Sequence, residues 1–257
     1  MSSQKLSNQQ FFNLVQALAL KSLKVRYKNS ILGFMWSLIT PLMYLGIFTF
    51  VFSNVFPDIE NYPLYALTGL IFWNFFSSST QQLSMSIVEG SGVLKSINIP
   101  PVSYPVGFLV AQLINLLLTF IPFAILMVVF GFKPSLALLL FPVALVLLVM
   151  FTLGAGLLIS SLNVYFRDVG LLWQAITPAL FYATPVAYST RLIPEQFAWL
   201  LNFNPMYHYI NFFRDILYYG EFPSMLQWIV TVLISVTSLL IGVFVFRRLE
   251  PGFVSNY

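Results

Sequence analysis

Seven stretches of the chain contain no Asp, Glu, Lys or Arg: 29–57, 61–88, 96–132, 134–166, 169–190, 196–213 and 222–246. A transmembrane helix needs about 20 mostly apolar residues, because a rise of about 1.5 Å per residue must cover roughly 30 Å of hydrocarbon. Six of the seven runs meet that requirement. The run 196–213 does not, because it holds Asn202, Asn204, Pro205, His208 and Asn211. So many polar groups do not suit a lipid-facing helix, and the run reads as an interfacial or re-entrant segment. The six expected spans are 32–56, 64–87, 105–130, 136–161, 170–188 and 225–246. Only 8% of the residues are charged, against roughly 25% in an average soluble domain. That excludes a soluble enzyme and a nucleic-acid binder. The absence of cysteine excludes a secreted disulfide scaffold and thiol chemistry. The apolar runs are continuous rather than alternating, which argues against a β-barrel.

The sign of the charges assigns the sides. With the N-terminus inside, Lys5, Lys21, Lys24, Arg26, Lys28, Lys95, Arg167, Arg247 and Arg248 are cytoplasmic. These nine basic residues face three acids, whereas the outer segments hold three basic residues, Lys133, Arg191 and Arg214, and five acids. This is the positive-inside pattern for six spans with both termini cytoplasmic; a seventh span would put Arg247 and Arg248 outside. No signal peptide is apparent, so the first span is expected to direct insertion. The sequence therefore predicts an all-α membrane protein of one domain, 1–257. A cytoplasmic interfacial helix occupies 1–30, a six-helix membrane domain 31–246, and a cytoplasmic tail 247–257.

At 100° per residue, Phe11, Leu14, Val15, Leu18 and Val25 share one face of an amphipathic helix over 4–28. Prolines fall at Pro41, Pro122, Pro142, Pro178 and Pro185 in the spans. The last two predict a bent or broken fifth helix. Gly156 and Ser160, with Gly154 nearby, form a small-residue pattern that allows close helix packing within the chain. The cytoplasmic connection 89–104 is longer than topology requires, which points to docking. It is expected to form a short helix ending before Pro100 and Pro101. The outer segment 190–221 is rich in Trp199, Phe203, Tyr207, Tyr218 and Tyr219 and is expected to lie in or re-enter the membrane as helices before the last span.

Catalytic chemistry is missing. His208 is the single histidine, no acid falls in a span core, and no GxxxxGK[ST] phosphate loop or metal-ligand cluster occurs. Ion-coupled carriers keep ionisable residues at membrane depth, and none falls there in this map. If the chain moves a solute, the energy comes from an ATPase partner, with 89–104 as the lever. A membrane-embedded transferase of envelope glycans and a non-transporting anchor for an ATPase are the alternative readings.

A set of local strings points further. They are YKNSILGFMW at 27–36 followed by Pro41, YPLYALTG at 62–69 leading into WNFFSS at 73–78, NIPP at 98–101, LNVYFRDV at 162–169, Thr184–Pro185, Asn204–Pro205 and FRRLEPG at 246–252. In order and spacing this resembles the membrane-spanning permease of ABC-2-type polysaccharide exporters, a family that exports lipid-linked O-antigen, capsule and teichoic acid. The resemblance implies a homodimer in the bacterial cytoplasmic (inner) membrane. It also implies two copies of a nucleotide-binding ATPase subunit, which would hold ATP and Mg, and no cofactor in this chain. The expected partners are these subunits, the lipid-linked polysaccharide and membrane lipids, with no nucleic acid.

By that pattern Glu89, Lys95, Ser96, Ile97, Asn98, Ile99, Pro100 and Pro101 form the coupling element. Arg167 and Asp168 are a second cytoplasmic contact, the membrane boundary or a local ion pair. A polymer longer than the bilayer is thick needs a continuous channel, and aromatic faces suit one. Trp36, Tyr44, Phe48, Phe181, Tyr182 and Tyr188, on spans one and five, are the channel candidates. Lys24, Arg26 and Lys28 are candidate contacts for a pyrophosphate headgroup, or serve only as the positive-inside signal.

Overall fold

The computed structural model describes residues 7–33, 35–53, 55–56, 59–132 and 134–256. Lys5, Asp58 and Lys133 of the charge map lie outside the described residues. Among the described residues the chain is helical, without strands.

Helix α1 (Asn8–Tyr27) opens on a capping box. Ser7 Oγ accepts from Gln10 N at 3.2 Å, and Gln10 Oε1 accepts from Ser7 N at 2.9 Å. Two otherwise orphaned donors are thereby satisfied. Val15, Leu18 and Ala19 are buried, against α4 rather than lipid. A Cβ on Gly107 of α4 would lie 2.7 Å from Leu18 Cβ, so glycine is what permits the close approach. Val25, expected on the same stripe, is 64% exposed and lines a groove with Lys21, Lys24 and Lys28 instead.

Helices α2 (Met35–Phe52), α3 (Tyr62–Ser96), α4 (Ser103–Val129), α5 (Phe141–Tyr165), α6 (Asp168–Ala183) and α9 (Met225–Leu249) form the bundle. Three helical stretches are long and apolar enough to cross a bilayer outright. They are Ser103–Val129, Leu136–Tyr165 and Met225–Gly252, with mean hydropathy 2.3, 2.9 and 2.7. The chain is a multi-pass membrane protein.

One sequence expectation needs correction, and another is met at only one of its two prolines. The connection after the second span contains no separate helix. Helix α3 runs unbroken for 35 residues to Ser96, so Glu89, Lys95 and Ser96 sit on its last turns, and the reversal is confined to 97–102. The fifth helix passes through Pro178 and ends at Ala183. The break comes at Thr184–Pro185, where the chain turns away. Pro178 lies on the exposed side of α6, which buries only Gly170 and Thr177, and the proline removes only one ladder bond.

Close packing concentrates between α5 and α9. A Cβ on Gly242 would overlap Gly154 O, and one on Gly154 would overlap Ser238 O. The small residues of α5 therefore serve packing within the chain. Gly156 makes the same kind of approach to Leu83 of α3.

The connection from α6 to α9 contains α7 (Trp199–Asn202), α8 (Pro205–Arg214) and a π-helical turn, Asp215–Tyr219. Asn204 caps α8, its side chain accepting from Met206 N at 3.1 Å while Pro205 occupies the first turn, a favoured arrangement. Gly220, at φ 69°, ends the π turn in the left-handed region that glycine enters without strain. Tyr209 is fully buried, and its Oη lies against Ser235 Oγ. The segment thus reaches into the bundle rather than lying flat.

The tail also folds. A 3-10 turn, Glu250–Gly252, leads into α10 (Phe253–Asn256). Phe253 is fully buried, 5.3 Å from Phe246 between ring centroids. Tyr165 Oη donates to Leu249 O at 2.9 Å. The bundle thus has a basic end, carrying α1, the 97–102 reversal, the α5–α6 turn and the tail, and an aromatic end, carrying α7, α8 and the π turn.

Candidate functional site

The polar residues at the basic end form a connected network between α1, α3 and α4. Gln82 Nε2 donates to Ser22 Oγ at 2.9 Å, and Gln112 Nε2 donates to Gln82 Oε1 at 2.8 Å. Arg26 Nη1 donates to Gln112 Oε1 at 3.3 Å, and Tyr27 Oη donates to Asn115 Oδ1 at 2.9 Å. Gln112 and Asn115 are buried on α4, three residues apart and so on one face. Amides inside an apolar bundle persist only when partnered. Here each satisfies part of the next.

The network borders a cavity of about 470 Å³ between the end of α1 and helices α2, α3 and α4. Trp36 and Tyr44 stand on its α2 wall, Arg26 and Tyr27 on its α1 side, and Asn74, Ser78 and Thr119 on its α3 and α4 walls. Trp36 and Tyr44 are each 48% exposed, so their ring faces are available. An exposed guanidinium, aromatic faces and partnered amides together can hold a sugar or a phosphate: the amides bond hydroxyls, the rings take C–H faces, and the arginine pairs oxyanions.

The remaining sequence candidates distribute as follows. Lys24 and Lys28 do not converge with Arg26. They project with Lys21 along a separate groove lined by Leu20 and Val25. Of the channel candidates, Phe48 packs against Phe52 at 5.8 Å and Phe181 at 6.4 Å, and Phe181 meets Trp73 at 5.6 Å. Tyr182 is 74% exposed. Tyr188 lies in the bend after α6, its Oη donating to Tyr182 O at 2.7 Å. Trp36 and Tyr44 share one cavity, whereas the other four occupy the α2–α6 side and the aromatic end.

Ile97 and Asn98 are exposed at the tip of the reversal, and Ile99, Pro100 and Pro101 are partly buried. Ser96 Oγ donates to Gly92 O at 2.8 Å, and Ser103 Oγ donates to Pro100 O at 2.7 Å. Pro100 also lines a groove with Phe11, Phe12 and Val15 of α1. The reversal is therefore braced by the interfacial helix. Glu89 is exposed on the side of α3.

Arg167 and Asp168 are exposed at the start of α6, and no ion pair joins them among the described residues. Their turn is held by Asn163, whose Nδ2 donates to Ser84 O at 2.9 Å while its Oδ1 accepts from Gly170 N at 2.8 Å. Glu250, beyond α9 and outside the expected span 225–246, has its carboxyl pushed above the ordinary range by partial burial, with Arg247 opposing.

Sequence reasoning misses Arg214. The charge map places it in an outer loop, yet it is 2% exposed. Nη1 donates to Pro185 O at 3.0 Å and Nη2 to Val186 O at 2.6 Å, and the guanidinium lies 3.6 Å over the Tyr65 ring. Tyr62 Oη donates to Ala187 O at 2.6 Å. The bend 184–188 is thus pinned to the start of α3, and Gly69 lets Val186 O approach. The amides of the basic-end network are missed as well; Gln82, Gln112 and Asn115 inside charge-free runs are the available signal.

A many-helix membrane bundle with an amide- and aromatic-lined cavity at one end is an architecture that suits a membrane permease. Comparison with known proteins is specific. Residues 13–218 match the ABC-2 type transporter family, and the chain belongs to it. It is 31% identical over 248 residues to the O-antigen export system permease protein RfbA of Klebsiella pneumoniae, covering 94% of each chain. It is 27% identical to the RfbA of Myxococcus xanthus over 96% of each chain. To the polysialic acid transport protein KpsM of Escherichia coli it is 24% identical, over 94% of this chain and 95% of that one.

Proposed function

We propose that this protein is the permease subunit of an ATP-driven exporter of lipid-linked polysaccharide in the bacterial inner membrane. The observation that carries the reading is the basic-end cavity, where Arg26, Trp36 and Tyr44 meet the Gln112–Asn115 network in a chain of the ABC-2 family. Its contents match a lipid-linked glycan in parts: a guanidinium for the phosphates of the anchor, rings for the first sugars and amides for their hydroxyls. The names of the relatives, O-antigen and polysialic acid transporters, support a sugar polymer as cargo.

In this reading all six bundle helices cross the membrane, both termini are cytoplasmic and the aromatic end faces outward. Two copies form the channel. The chain itself is not an enzyme and carries no cofactor; two partner subunits bind ATP and Mg. These dock on Glu89, on 95–101 and on the turn at Arg167 and Asp168. Motion of the 97–102 reversal reaches the cavity by a short path, because α1 packs on both the reversal and α4.

The test is to purify the chain with its ATPase subunit in lipid nanodiscs and to assay export in cells. Arg26→Gln and Trp36→Ala are expected to lower export without loss of assembly. Replacing Pro100 and Pro101 by Gly is expected to leave ATP hydrolysis running while export stops. Normal export in both cavity variants would remove the cavity from the pathway.

A further inference from the structure

A second and larger cavity, about 940 Å³, opens at the aromatic end beneath the π turn. Arg214 lines it, together with Asn211 one helical turn earlier and four tyrosines, Tyr65, Tyr207, Tyr218 and Tyr219; Glu60 and Arg191 are the other charged residues on its wall among the described residues, and their charges offset each other. We propose that this cavity is an oxyanion site: Arg214 draws in a phosphate or carboxylate borne on the exported chain or its anchor, and the tyrosines receive the sugar ring beside it.

Charge compensation at Arg214 is incomplete. Arg214 is 2% exposed, and a buried cation is normally matched by a carboxylate. Among the described residues none forms an ion pair with it. Its partners there are two backbone carbonyls and the face of Tyr65. These are dipoles and a quadrupole, which orient the guanidinium but leave its net charge. Its Nε has no hydrogen-bond partner among the described residues. An arginine kept only to hold two carbonyls would have no reason to face a wide polar cavity. A full positive charge at the wall of a low-dielectric cleft focuses its field into that cleft and concentrates anions there. Tyr65 and Tyr218 are engaged, their hydroxyls donating to Tyr188 O and Glu60 O, so Tyr207 and the exposed Tyr219 are the rings that offer a face and a hydroxyl to a pyranose.

The site lies at the opposite end of the bundle from Arg26. The inference rests on the exporter reading for its direction, since only then is this the exit side. The site would hold an anionic group that has already crossed.

The test measures binding rather than export. The chain is purified in nanodiscs of neutral phosphatidylcholine, in an Arg26→Gln, Arg191→Gln background that removes the guanidinium of the basic-end cavity and the second one lining this cavity. Inorganic pyrophosphate, glucuronate and glucose are titrated by calorimetry. Asn211→Asp then places a carboxylate one turn from Arg214 and supplies the missing counter-charge without touching the Pro185 and Val186 bonds. The expected result is saturable anion binding that weakens at least about tenfold in Asn211→Asp, with melting temperature unchanged or raised. Loss of pyrophosphate binding alone assigns the site to the anchor phosphates, and loss of glucuronate binding alone assigns it to acidic sugars. No saturable anion binding, equal binding of glucose, or anion affinity unchanged by Asn211→Asp would overturn the proposal. Binding that behaves as expected in a chain without export activity would overturn only the exporter reading. Absent binding with intact export would overturn only this one.

Discussion

The two ends of the bundle use arginine in opposite ways. At the basic end Arg26 touches one amide, Gln112, at 3.3 Å and remains on the surface of its helix. At the aromatic end Arg214 is enclosed, bonded to two carbonyls and stacked on Tyr65. An exposed arginine can be exchanged with little effect on folding, because water replaces its contacts. An enclosed one organises its surroundings. Removing it leaves carbonyls without donors and a cavity where the guanidinium stood. The difference separates residues whose loss shows first in transport from those whose loss shows first in the fold.

The most direct way to break this comparison is a matched pair of substitutions. Arg214→Gln is expected to destabilise the protein by about 3–5 kcal/mol, from two lost charge-assisted bonds and the lost cation–π contact. Arg26→Gln is expected to cost at most ~1 kcal/mol while lowering export. Thermal unfolding in nanodiscs reads the first effect and cellular export the second. Equal melting temperatures for the two variants would refute the distinction.

A second pair sharpens it with glycines. A Cβ on Gly69 would sit 3.0 Å from Arg214 Nη2 and would overlap Val186 O. Gly69→Ala must push the 184–188 bend away, at roughly 1–3 kcal/mol. Limited proteolysis is expected to cut near 184–192 in the variant and not in the wild type. A Cβ on Gly92, near the basic end of the same helix, would meet nothing within 4 Å. There Gly→Ala is expected to be neutral or to stabilise by up to ~1 kcal/mol through helix propensity alone.

The amide network lies between these extremes. Asn115→Leu removes the acceptor of Tyr27 Oη. Hydrogen bonds of this kind inside membranes average about 0.6 kcal/mol and reach about 1.7, so a modest fall in melting temperature is expected. On the proposed pathway the larger effect is expected on export, because the cavity would lose a group proposed to bind hydroxyls. A variant with full export and lowered stability would make the network structural only.

These contrasts also mark what is legible in the sequence. The charge-free runs locate the helices, because excluding charge from a lipid-facing stretch is a local requirement that each residue meets by itself. Asn204–Pro205 is readable in the same way, since a helix start is encoded within a few residues. The length of α3 is not legible, because 88–96 is polar enough for a loop, and only packing such as that of Tyr104 on Gly90 shows why the helix continues. Arg214 escapes for a deeper reason. Counting charges by loop treats each as solvated, whereas its burial depends on Tyr65, Gly69 and the 184–188 bend, which are far away in sequence. Arg26, Trp36 and Tyr44 each stand out in the sequence, yet their convergence on one cavity depends on α1 lying against α4. Gln82, Gln112 and Asn115 escape because an uncharged run is not the same as an apolar one.

The smallest expected effect belongs to the tail at the basic end, where a charge is neither exposed like Arg26 nor enclosed like Arg214. Glu250 opens the turn that carries Phe253 into its fully buried position. Partial burial raises its carboxyl, and Arg247 opposes that shift without cancelling it. A carboxyl raised on folding binds its proton more tightly in the folded state. The folded tail is therefore favoured at low pH, and stability is lost as pH rises from the ordinary carboxylate range through the raised value, with nothing further lost above it. Glu250→Gln is expected to be slightly more stable than wild type at neutral pH and to flatten this part of the profile. Arg247→Gln is expected to steepen it, since the opposing attraction is gone. Melting curves between about pH 4 and pH 8 decide the sign. A Glu250→Gln protein less stable than wild type at neutral pH would mean that the attraction to Arg247 outweighs desolvation. The tail would then be held by an ion pair and not by Phe253.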